Sequence, residues 1–553
     1  MISVAIGAMV AAFIWRAPRK PLSRFAPEQA LAYVEIEDPN RLVRELSSAQ
    51  GWQAVARQMG WPSSWNWLNA LAAAFSDHSD WQWLLSARLA LVITGLEIDS
   101  TTLTPHWCLM IEPDELSGEL QQRIEEQTKS LANRVLGQWT ERSAEHAGRI
   151  VHSYNGQEQD RRLVWCSFDD LVLAGNHPDS IRRILDTYDQ KQPSLERNPT
   201  YQRLRAIDRG ASPLFGYVST HRIATASKQI PWLDRNQLMP ERLARLFWQT
   251  FFSAFDISLS YRLQVQGGTV VERIHVLNTP GSPLASIVSD ATAGTQIRAL
   301  ALIPADAHSL MIIRPADLEQ RLQALDDALK QRLSAFSHLA LRETLARLKL
   351  SLGLDRDDTI ADAVGNEIAI VETARGDFLL IVQAKRKGKL AALVGKYLQR
   401  DGAALTTIPY RGVEIYRSSI EGSKACCFVD DLLVIGSFDS VKNAIDAHQN
   451  EGDSKSLSAL KALIEQEAVG SFEISARLGR ATEAMRLAAL LHNLTGRTEE
   501  SHHLIPMLRS LPPTIRTTRA WTDGVLIESK SALGELVFML LAEALANVAT
   551  QAG

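Results

Sequence analysis

The chain has 553 residues, of which 46% are hydrophobic and 22% charged, and this composition predicts a folded protein rather than a disordered one. A soft prior of about 150 residues per domain makes the chain too long for a single core. The formal net charge of −4 argues against nucleic-acid binding, because no basic excess is available to neutralise phosphates. Four cysteines are too few for a disulfide scaffold.

An uncharged apolar segment, residues 2–15, opens the chain, and four basic residues follow it between positions 16 and 24. The segment is shorter than the ~17–20 residues that span a bilayer, and no small-residue cleavage site follows it. We predict that residues 1–25 form a single membrane anchor or signal-anchor in the cytoplasmic membrane, with the bulk of the chain extracytoplasmic (periplasmic). Two alternatives stay open. The positive-inside rule favours a cytoplasmic bulk, and a buried N-terminal helix also fits the pattern.

The first half of the chain alternates strand patterns with helical ones, assigned by apolar residues at every second position or at every third and fourth position. Gly267-Gly268 is a strong two-residue hairpin signal. In chain order the predicted elements are a strand at 31–39, a helical region at 41–75, a hairpin at 89–96 and 105–113, a helix at 116–135, a strand at 148–153, two strands within 164–175, a helix at 179–187, a strand at 213–220 and a hairpin at 256–278.

The second half repeats this order. Residues 168–186 (FDDLVLAGNHPDSIRRILD) align with residues 429–446 (VDDLLVIGSFDSVKNAID). Such self-similarity predicts one architecture used twice. The identical pairs are Asp170 with Asp431, Gly175 with Gly436, Ser180 with Ser440 and Asp186 with Asp446, and Pro39 also matches Pro315 at a predicted strand-to-helix joint.

The closing hairpins of the two halves also align, and Asp523-Gly524 is the turn signal of the second one. Predicted N-caps precede the matched helices at Asp179 and Asp439. The hairpin residues matched by sequence are Gly268 with Gly524, Val270 with Leu526 and Glu272 with Glu528.

Strands outnumber helices, and hairpins imply antiparallel pairing, so the predicted class is α+β. The predicted architecture is a tandem duplication of a mixed module with mainly antiparallel sheets and flanking helices. The terminal helix either packs on the second module or lies on a membrane surface. The predicted units are the anchor (1–25), a first module (26–281), a linker (282–303), a second module (304–533) and a C-terminal apolar helix (534–553).

The sequence contains none of the recurrent nucleophile-elbow, zinc-protease, phosphate-loop or dinucleotide spacings, so we predict no catalytic, cofactor-binding or metal-binding residues. An aspartate pair is the sharpest polar feature shared by both halves, at 169–170 and at 430–431. Adjacent strand residues point to opposite faces, which favours a tight turn over a general acid–base dyad.

Other polar clusters are expected to be structural. The aspartates at 355, 357, 358 and 362 resemble a calcium loop but lack its register, which favours a capped helix start. The basic run at 385–389 either grips an anionic headgroup or is a solvated loop. His502-His503 has no further ligand at a suitable spacing for a metal. Cys166 and Cys427 occupy matched strand positions and are expected to be small buried hydrophobes.

Tryptophans cluster in the first half, and none occupies the equivalent part of the second half. Clustered tryptophans can mark a partner surface or a membrane-interface belt, but they can equally be core filling for this helical region, and the pattern favours core filling. The predicted partner surface comprises Trp52, Trp61, Trp65, Trp67, Trp81 and Trp83.

Several segments together resemble a known group of sequences. They are ALAYVEIEDP, NPTYQRLR, LGLDRDDTIADAVGNEIAIV, FVDDLLVIGS and the closing DGVLIES, all preceded by the N-terminal anchor. The chain is similar, over nearly its whole length after residue 25, to the uncharacterised bacterial family called domain of unknown function 3352. The resemblance implies a membrane-anchored, envelope-facing protein with no assigned activity and no catalytic residues to transfer.

The leading functional hypothesis is a non-enzymatic, membrane-anchored envelope protein that binds or scaffolds through two repeated modules. Its partners are expected to be a membrane, through the N-terminal segment, and other proteins, without nucleic acid or cofactors. One rival is an accessory subunit of a membrane protein complex, held by the N-terminal segment and the tryptophan-rich region. The other rival is a hydrolase-like enzyme with an inter-module cleft, in which Asp170 and Asp431 or their neighbours act.

Overall fold

The structure is a computed structural model. Most of the predicted anchor lies outside the residues that it describes, and so does the chain beyond residue 535. Within the described ranges, no helix is both long and apolar enough to cross a membrane. The described residues are 21–58, 83–98, 103–157, 161–207, 212–220, 222–223, 257–278, 297–315, 317–332, 335–351, 354–355, 359–399, 402–420, 424–449, 455–469, 471, 473–477, 507, 511–521 and 524–535.

Twenty strands belong to one sheet. The ten in the first half are β1 (Ala32–Ile36), β2 (Arg88–Ile98), β3 (Leu103–Glu112), β4 (Trp139–His146), β5 (Arg149–Gly156), β6 (Arg162–Phe168), β7 (Leu171–Gly175), β8 (Leu214–Ser219), β9 (Ile257–Gln266) and β10 (Thr269–Asn278). The ten in the second half are β11 (Ala307–Ile313), β12 (Val364–Thr373), β13 (Phe378–Ala384), β14 (Leu405–Tyr410), β15 (Val413–Ser418), β16 (Ala425–Val429), β17 (Leu432–Gly436), β18 (Glu473–Arg477), β19 (Thr514–Trp521) and β20 (Gly524–Ser531).

All the strand pairs are antiparallel, as the predicted hairpins require. The first ten strands pair in the order β4-β5-β6-β7-β3-β2-β1-β8-β9-β10. The last ten pair in the order β14-β15-β16-β17-β13-β12-β11-β18-β19-β20. β10 then pairs with β20, which joins the two series into one sheet.

Helices cover both faces of this sheet, so the predicted α+β class is confirmed. Among the described residues, three short 3₁₀ helices lie at Leu22–Arg24, Leu195–Arg197 and Arg298–Leu302. The α-helices are α1 (Pro39–Ser48), α2 (Gln50–Gln58), α3 (Trp83–Ser86), α4 (Gly118–Leu136), α5 (Pro178–Tyr188), α6 (Pro199–Ala206), α7 (Leu318–Arg332), α8 (Ala335–Ser351), α9 (Lys387–Leu398), α10 (Phe438–Gln449) and α11 (Lys455–Glu467).

The main core of each half lies on the same face of the sheet. In the first half, Tyr33 and Leu173 of the strands pack with Ile184 of α5. In the second half, Leu310 and Val434 pack with the matching helix α10. The opposite face is covered by α4 in the first half and by α9 in the second. Burial on both faces explains the nearly continuous apolar sequences of β7, β16 and β17.

The aspartate pairs form tight turns, as predicted. Phe168 pairs with Leu171, and Val429 pairs with Leu432, which leaves two aspartates in each loop. Asp169 and Asp430 have left-handed backbones, with φ of 47° and 54°. Aspartate tolerates this region better than most residues do, because its short side chain bonds locally.

Close backbone approach explains the matched glycines that end β7 and β17. A Cβ at Gly175 would lie 2.5 Å from the carbonyl oxygen of Trp107. A Cβ at Gly436 would lie 3.2 Å from the carbonyl oxygen of Phe378. Both glycines therefore allow a neighbouring strand to pass closely just before a helix begins.

Several local predictions were wrong. The N-caps are His177 and Ser437, two residues before the predicted aspartates, because those side chains accept the first free N–H groups. Residues 360–363 form a turn into β12 rather than the helix start expected after the aspartates. Strands β4 and β14 were not predicted, because almost all of their residues lack burial.

The sequence alignment of the closing hairpins is shifted by one residue. Gln266 pairs with Thr269 across the first loop, and Trp521 pairs with Gly524 across the second. Gly524 is therefore the first residue of β20 and not part of the turn. When residues are counted from the end of each hairpin loop, Glu528 in β20 corresponds to Arg273 in β10 and not to Glu272.

The left-handed turn at Asp430 gives the first test. We expect Asp430→Val to lower the free energy of unfolding by about 1–2 kcal/mol, because a β-branched residue is strained at positive φ. Asp430→Gly removes the same carboxylate without that strain and should leave stability within about 0.5 kcal/mol of wild type. Chemical denaturation measures both variants, and equal losses would contradict the turn geometry.

Candidate functional site

The structure describes two of the six tryptophans of the predicted partner surface. Trp52 in α2 is only 7% exposed, and its indole Nε1 donates to the carbonyl oxygen of Leu533 at 2.9 Å. Trp83 is half-buried against the apolar residues beneath α4. Both fill positions inside the protein, whereas Trp61, Trp65, Trp67 and Trp81 lie outside the described residues. The partner surface therefore stays a prediction.

The pairing of β10 with β20, the seam, links the two halves. It runs from Val270 opposite Ser531 to Leu277 opposite Gly524. At its centre, Arg273 Nε lies 2.7 Å from Glu528 Oε2, and both side chains are largely buried. Burial raises the pKa of Glu528, but the hydrogen bond from Arg273 and the positive charges of Arg273, Lys530 and Arg519 together outweigh burial and hold that pKa below its ordinary value. The seam therefore contains a charge-assisted pair in partial shelter from water.

Buried glutamates hold the 3₁₀ helix that opens each half. Glu367 of β12 accepts backbone N–H bonds from Arg298, at 3.1 Å, and from Ala299. Glu35 of β1 accepts from the N–H of Leu22 at 3.3 Å. Burial raises the pKa of both carboxyls. Each carboxylate satisfies helix-end N–H groups that have no partner within a helix, so these groups serve the fold.

One corner of the first half brings together side chains of a different kind. Glu97 stands near the end of β2 and His106 on the facing strand β3, where a bulge shifts the register. His177 follows β7, which is the other neighbour of β3. The three offer one carboxylate oxygen and two imidazole nitrogens, all within 4.8 Å of one another. In the described part of the chain, this is the group suited to hold a metal ion.

The two imidazoles of this corner lie face to face. Their ring centroids are 4.0 Å apart and their planes differ by 2°. His106 Nε2 lies 3.2 Å from Glu97 Oε2, while the Glu97 side chain is 65% exposed. The rings are therefore held in place, whereas the carboxylate is free to move.

His177 also begins helix α5. Its Nδ1 accepts the backbone N–H of Asp179 at 3.2 Å, and its own pKa is lowered, mainly by burial and then by the neighbouring His106. A neutral imidazole suits the capping role of this residue. It keeps a lone pair for the helix N–H, and the same neutral form is the one that binds metals.

The corresponding corner of the second half has no histidine. Ser437 Oγ accepts the N–H of Ser440 at 3.2 Å and bonds to Asp377 Oδ2 at 3.2 Å. Serine is the usual residue for this capping position. Capping the helix therefore does not itself require an imidazole at position 177.

Several of the other polar residues singled out by sequence have structural partners. Asp362 accepts from Lys389 at 2.7 Å and from Arg386 at 2.9 Å, so the acidic segment and the basic run neutralise each other across β12 and α9. Asp431 binds Arg298, and Asp169 accepts from Tyr188. Asp357, Asp358 and His502-His503 lie outside the described residues.

The cysteines are buried free thiols. Cys166 pairs across the sheet with Leu173, and Cys427 pairs with Val434, so the matched positions are strand hydrophobes as predicted. Burial raises the pKa of Cys166 to about 11 and that of Cys427 to about 12. A thiol held protonated in this way is a poor nucleophile.

Sequence reasoning missed Glu97, His106 and His177. Glu97 and His106 lie at the same end of a predicted hairpin, which was the available signal. His177 joins them only because β7 pairs with β3, and that pairing was not predicted. The spacing of the three residues along the chain matches no metal-binding motif.

A pH-dependence of stability follows from His177. Because its pKa is lowered in the folded state, the unfolded chain binds the proton more readily, and stability rises with pH. We expect the free energy of unfolding to be highest above the ordinary histidine pKa, about 6.5, and to fall as pH drops below it. In His177→Ser, which keeps a capping oxygen, this fall should be smaller. Identical profiles from denaturation at pH 5.5–7.5 would contradict the assignment.

The chain was compared with family models, with curated proteins and with solved structures. The searches of curated proteins and of solved structures found no match. The family model described as "Protein of unknown function (DUF3352)" matches residues 17–374, which span the first half of the sheet and continue into β12. This match covers more than half of the chain, and the protein therefore belongs to the DUF3352 family.

Proposed function

We propose that this protein is a non-enzymatic, membrane-anchored envelope scaffold, built by tandem duplication of an α+β module and acting as one body. The proposed units are the anchor at 1–25, modules at 26–281 and 304–533, the linker between them, and an apolar C-terminal helix. The buried 3₁₀ helices Leu22–Arg24 and Arg298–Leu302 pack in the cores of the two halves, so we assign them to the modules and not to the anchor and the linker. The observation that carries the proposal is the seam, where strands of the two halves pair edge to edge and center on Arg273 and Glu528.

The strand order supports the duplication. Each pairing among β1–β10 has a counterpart among β11–β20, including the non-sequential contacts of β1 with β8 and of β3 with β7. The registers agree as well. Cys166 faces Leu173 just as Cys427 faces Val434. An unrelated fold would have no reason to reproduce both order and register.

Side-chain contacts support it independently. In the first half, His146 stands before the turn from β4 to β5 and bonds to Asp186 of α5 at 2.9 Å. In the second, Tyr410 stands before the turn from β14 to β15 and bonds to Asp446 of α10 at 2.8 Å. The matched aspartates thus receive a bond from matched positions, although the donor has changed from an imidazole to a phenol.

The centre of the seam fits two modules related by a local two-fold axis. Arg273 and Glu528 each stand fifth after their hairpin loops, and they face each other across the seam. In a dimer of identical modules this position would face a like charge, which destabilises a cross-strand pair. With both modules in one chain, the two positions can carry opposite charges. The Arg273–Glu528 pair is the arrangement that a fused duplication favours.

The hydrolase rival receives no support from its named residues. Twelve strands separate β7 from β17 in the sheet order, so the turns that carry Asp170 and Asp431 belong to distant places in the sheet. Asp431 also forms an ion pair with Arg298. A dyad needs two carboxylates that share one site.

The accessory-subunit rival is favoured by one observation. The tryptophan-rich stretch continues from α2, and α2 is fixed at the seam. Gly51 N donates to the carbonyl oxygen of Ala532, and the N–H of Gln50 donates to that of Gly268. The stretch therefore starts beside the junction of the two halves, where a partner could engage both of them.

A charge-reversal cycle tests the seam. We expect Arg273→Glu or Glu528→Arg alone to lower the free energy of unfolding by about 2 kcal/mol, because each places like charges opposite one another in a partly buried site. The double reversal should recover at least half of the summed loss. Denaturation of the four proteins gives the coupling energy, expected at about 1–3 kcal/mol. Losses that add within about 0.5 kcal/mol would contradict a central role for the pair.

Cell fractionation tests the proposed membrane attachment and the side of the membrane on which the protein lies. We expect the full chain to sediment with membranes and to be cut by protease added to spheroplasts, and a chain lacking residues 1–20 to be released, because this deletion keeps the buried 3₁₀ helix Leu22–Arg24. Protection of the full chain in spheroplasts that are intact would place the bulk in the cytoplasm and contradict the proposal.

Crosslinking before fractionation separates the scaffold from the accessory-subunit rival. Mass spectrometry of the crosslinked membranes identifies what the full chain contacts. If the anchor serves only for attachment, the released protein keeps its protein partners. If deletion of residues 1–20 removes anchoring and partners together, the accessory-subunit hypothesis is correct.

A further inference from the structure

We propose that Glu97, His106 and His177 form a binding site for a divalent transition metal ion of the zinc class, carried by the first half of the protein alone. Two imidazoles and one carboxylate are ligands that such ions accept, and with a water molecule they complete four-coordination. The three side chains come from β2, from β3 and from the start of α5, and they meet at one corner of the sheet.

The distances suit a site that closes on the ion. Tetrahedral zinc with bonds of about 2.0–2.1 Å places its ligand atoms about 3.3 Å apart. His106 Nε2 and Glu97 Oε2 are already 3.2 Å apart, and the three ligand atoms lie within 4.8 Å of one another. The remaining adjustment is small, and the exposed Glu97 side chain can follow it.

The stacked rings have to tilt when the ion binds. The lone pairs of parallel imidazoles lie in two parallel planes, whereas a shared ion needs lone pairs that converge on one point. Stacking nevertheless keeps both rings beside the carboxylate before the ion arrives. This lowers the side-chain entropy that binding would otherwise cost.

Metal binding and helix capping compete for the same ring. A neutral imidazole has one lone pair, and His177 Nδ1 uses it to accept the N–H of Asp179. With the metal on Nδ1 that lone pair is taken, and with the metal on Nε2 the proton moves to Nδ1. In the second case Asp179 Oδ2, now 3.8 Å from Nδ1, can accept this proton and orient the ring as a neighbouring carboxylate does in many metal sites.

The second half supplies an internal comparison. Its corresponding corner has Ser437 and Asp377, which bond to each other and cap the helix. The imidazole at position 177 therefore adds something that capping does not require. We expect one ion per chain and not two.

The test uses the full-length protein, stripped with a chelator and titrated with Zn²⁺ alone by calorimetry. We expect one site, with affinity weakened at least about tenfold by His106→Asn, by His177→Ser and by Glu97→Gln. His177→Ser restores the capping residue of the second half, so it separates a lost ligand from a misfolded helix. His152→Gln is the matched control, because His152 also pairs with a glutamate, Glu141 at 3.3 Å, but is not part of the corner.

Hydrogen exchange provides a second readout. Zn²⁺ should speed exchange of the Asp179 amide in wild type, since His177 stops accepting it, and should leave it unchanged in His106→Asn. The proposal is overturned if Zn²⁺ does not bind, if two equal sites appear, or if His152→Gln weakens binding as much as the corner variants. It is also overturned if all three corner variants bind like wild type. None of these results depends on the scaffold function.

Discussion

The pairing of β10 with β20 sets the arrangement of everything else in the sheet. Residues opposite each other on antiparallel strands share a face, and a slip of one residue would move a whole strand pattern to the other face. The observed register places Arg273 opposite Glu528 and leaves both main cores on one side of the sheet. A one-residue slip would bring Arg273 opposite Ile527 or Ser529 and turn the second core away from the first. The charged pair therefore helps to specify a register that hydrophobic burial also demands.

Sequence reasoning succeeded where burial and turn chemistry act together. The strands on both sides of Asp169-Asp170 are apolar because helices cover both faces, and the aspartates mark the turn. It failed for β4, whose residues from Thr140 to Glu145 are exposed, because no buried face imposes a period on the sequence. A strand at the end of the sheet order is held by backbone bonds to β5 alone. Its charged side chains also discourage pairing with another chain, which is useful for an edge but hides the strand from pattern reading.

The site and the seam escaped prediction for a different reason. Glu97, His106 and His177 meet through the pairing of β3 with β7, and Arg273 meets Glu528 through a pairing between halves. Each depends on non-local strand order, which periodicity does not encode. The seam also needed a register accurate to one residue. The sequence alignment of Gly268 with Gly524 matched Glu528 to Glu272. The observed strand pairs of the two hairpins show that Glu528 instead corresponds to Arg273. Turn residues in the sequence predicted the hairpin turns, whereas the metal-binding corner and the seam could be found only from the strand order and register of the structure.

On the proposed duplication, features shared by both halves belong to the scaffold, and features of one half are where function could diverge. The shared set is structural: left-handed aspartate turns, close-packed glycines, and buried glutamates beneath the 3₁₀ helices. The unshared set lies in the first half. It comprises the stacked imidazoles of His106 on β3 and His177 at the start of α5, and the tryptophan-rich sequence that begins in α2. At the helix start, serine already satisfies the free N–H in the second half. The partly buried imidazole at this place in the first half lowers stability at low pH, and the proposed metal site gives the ring a use that capping alone does not.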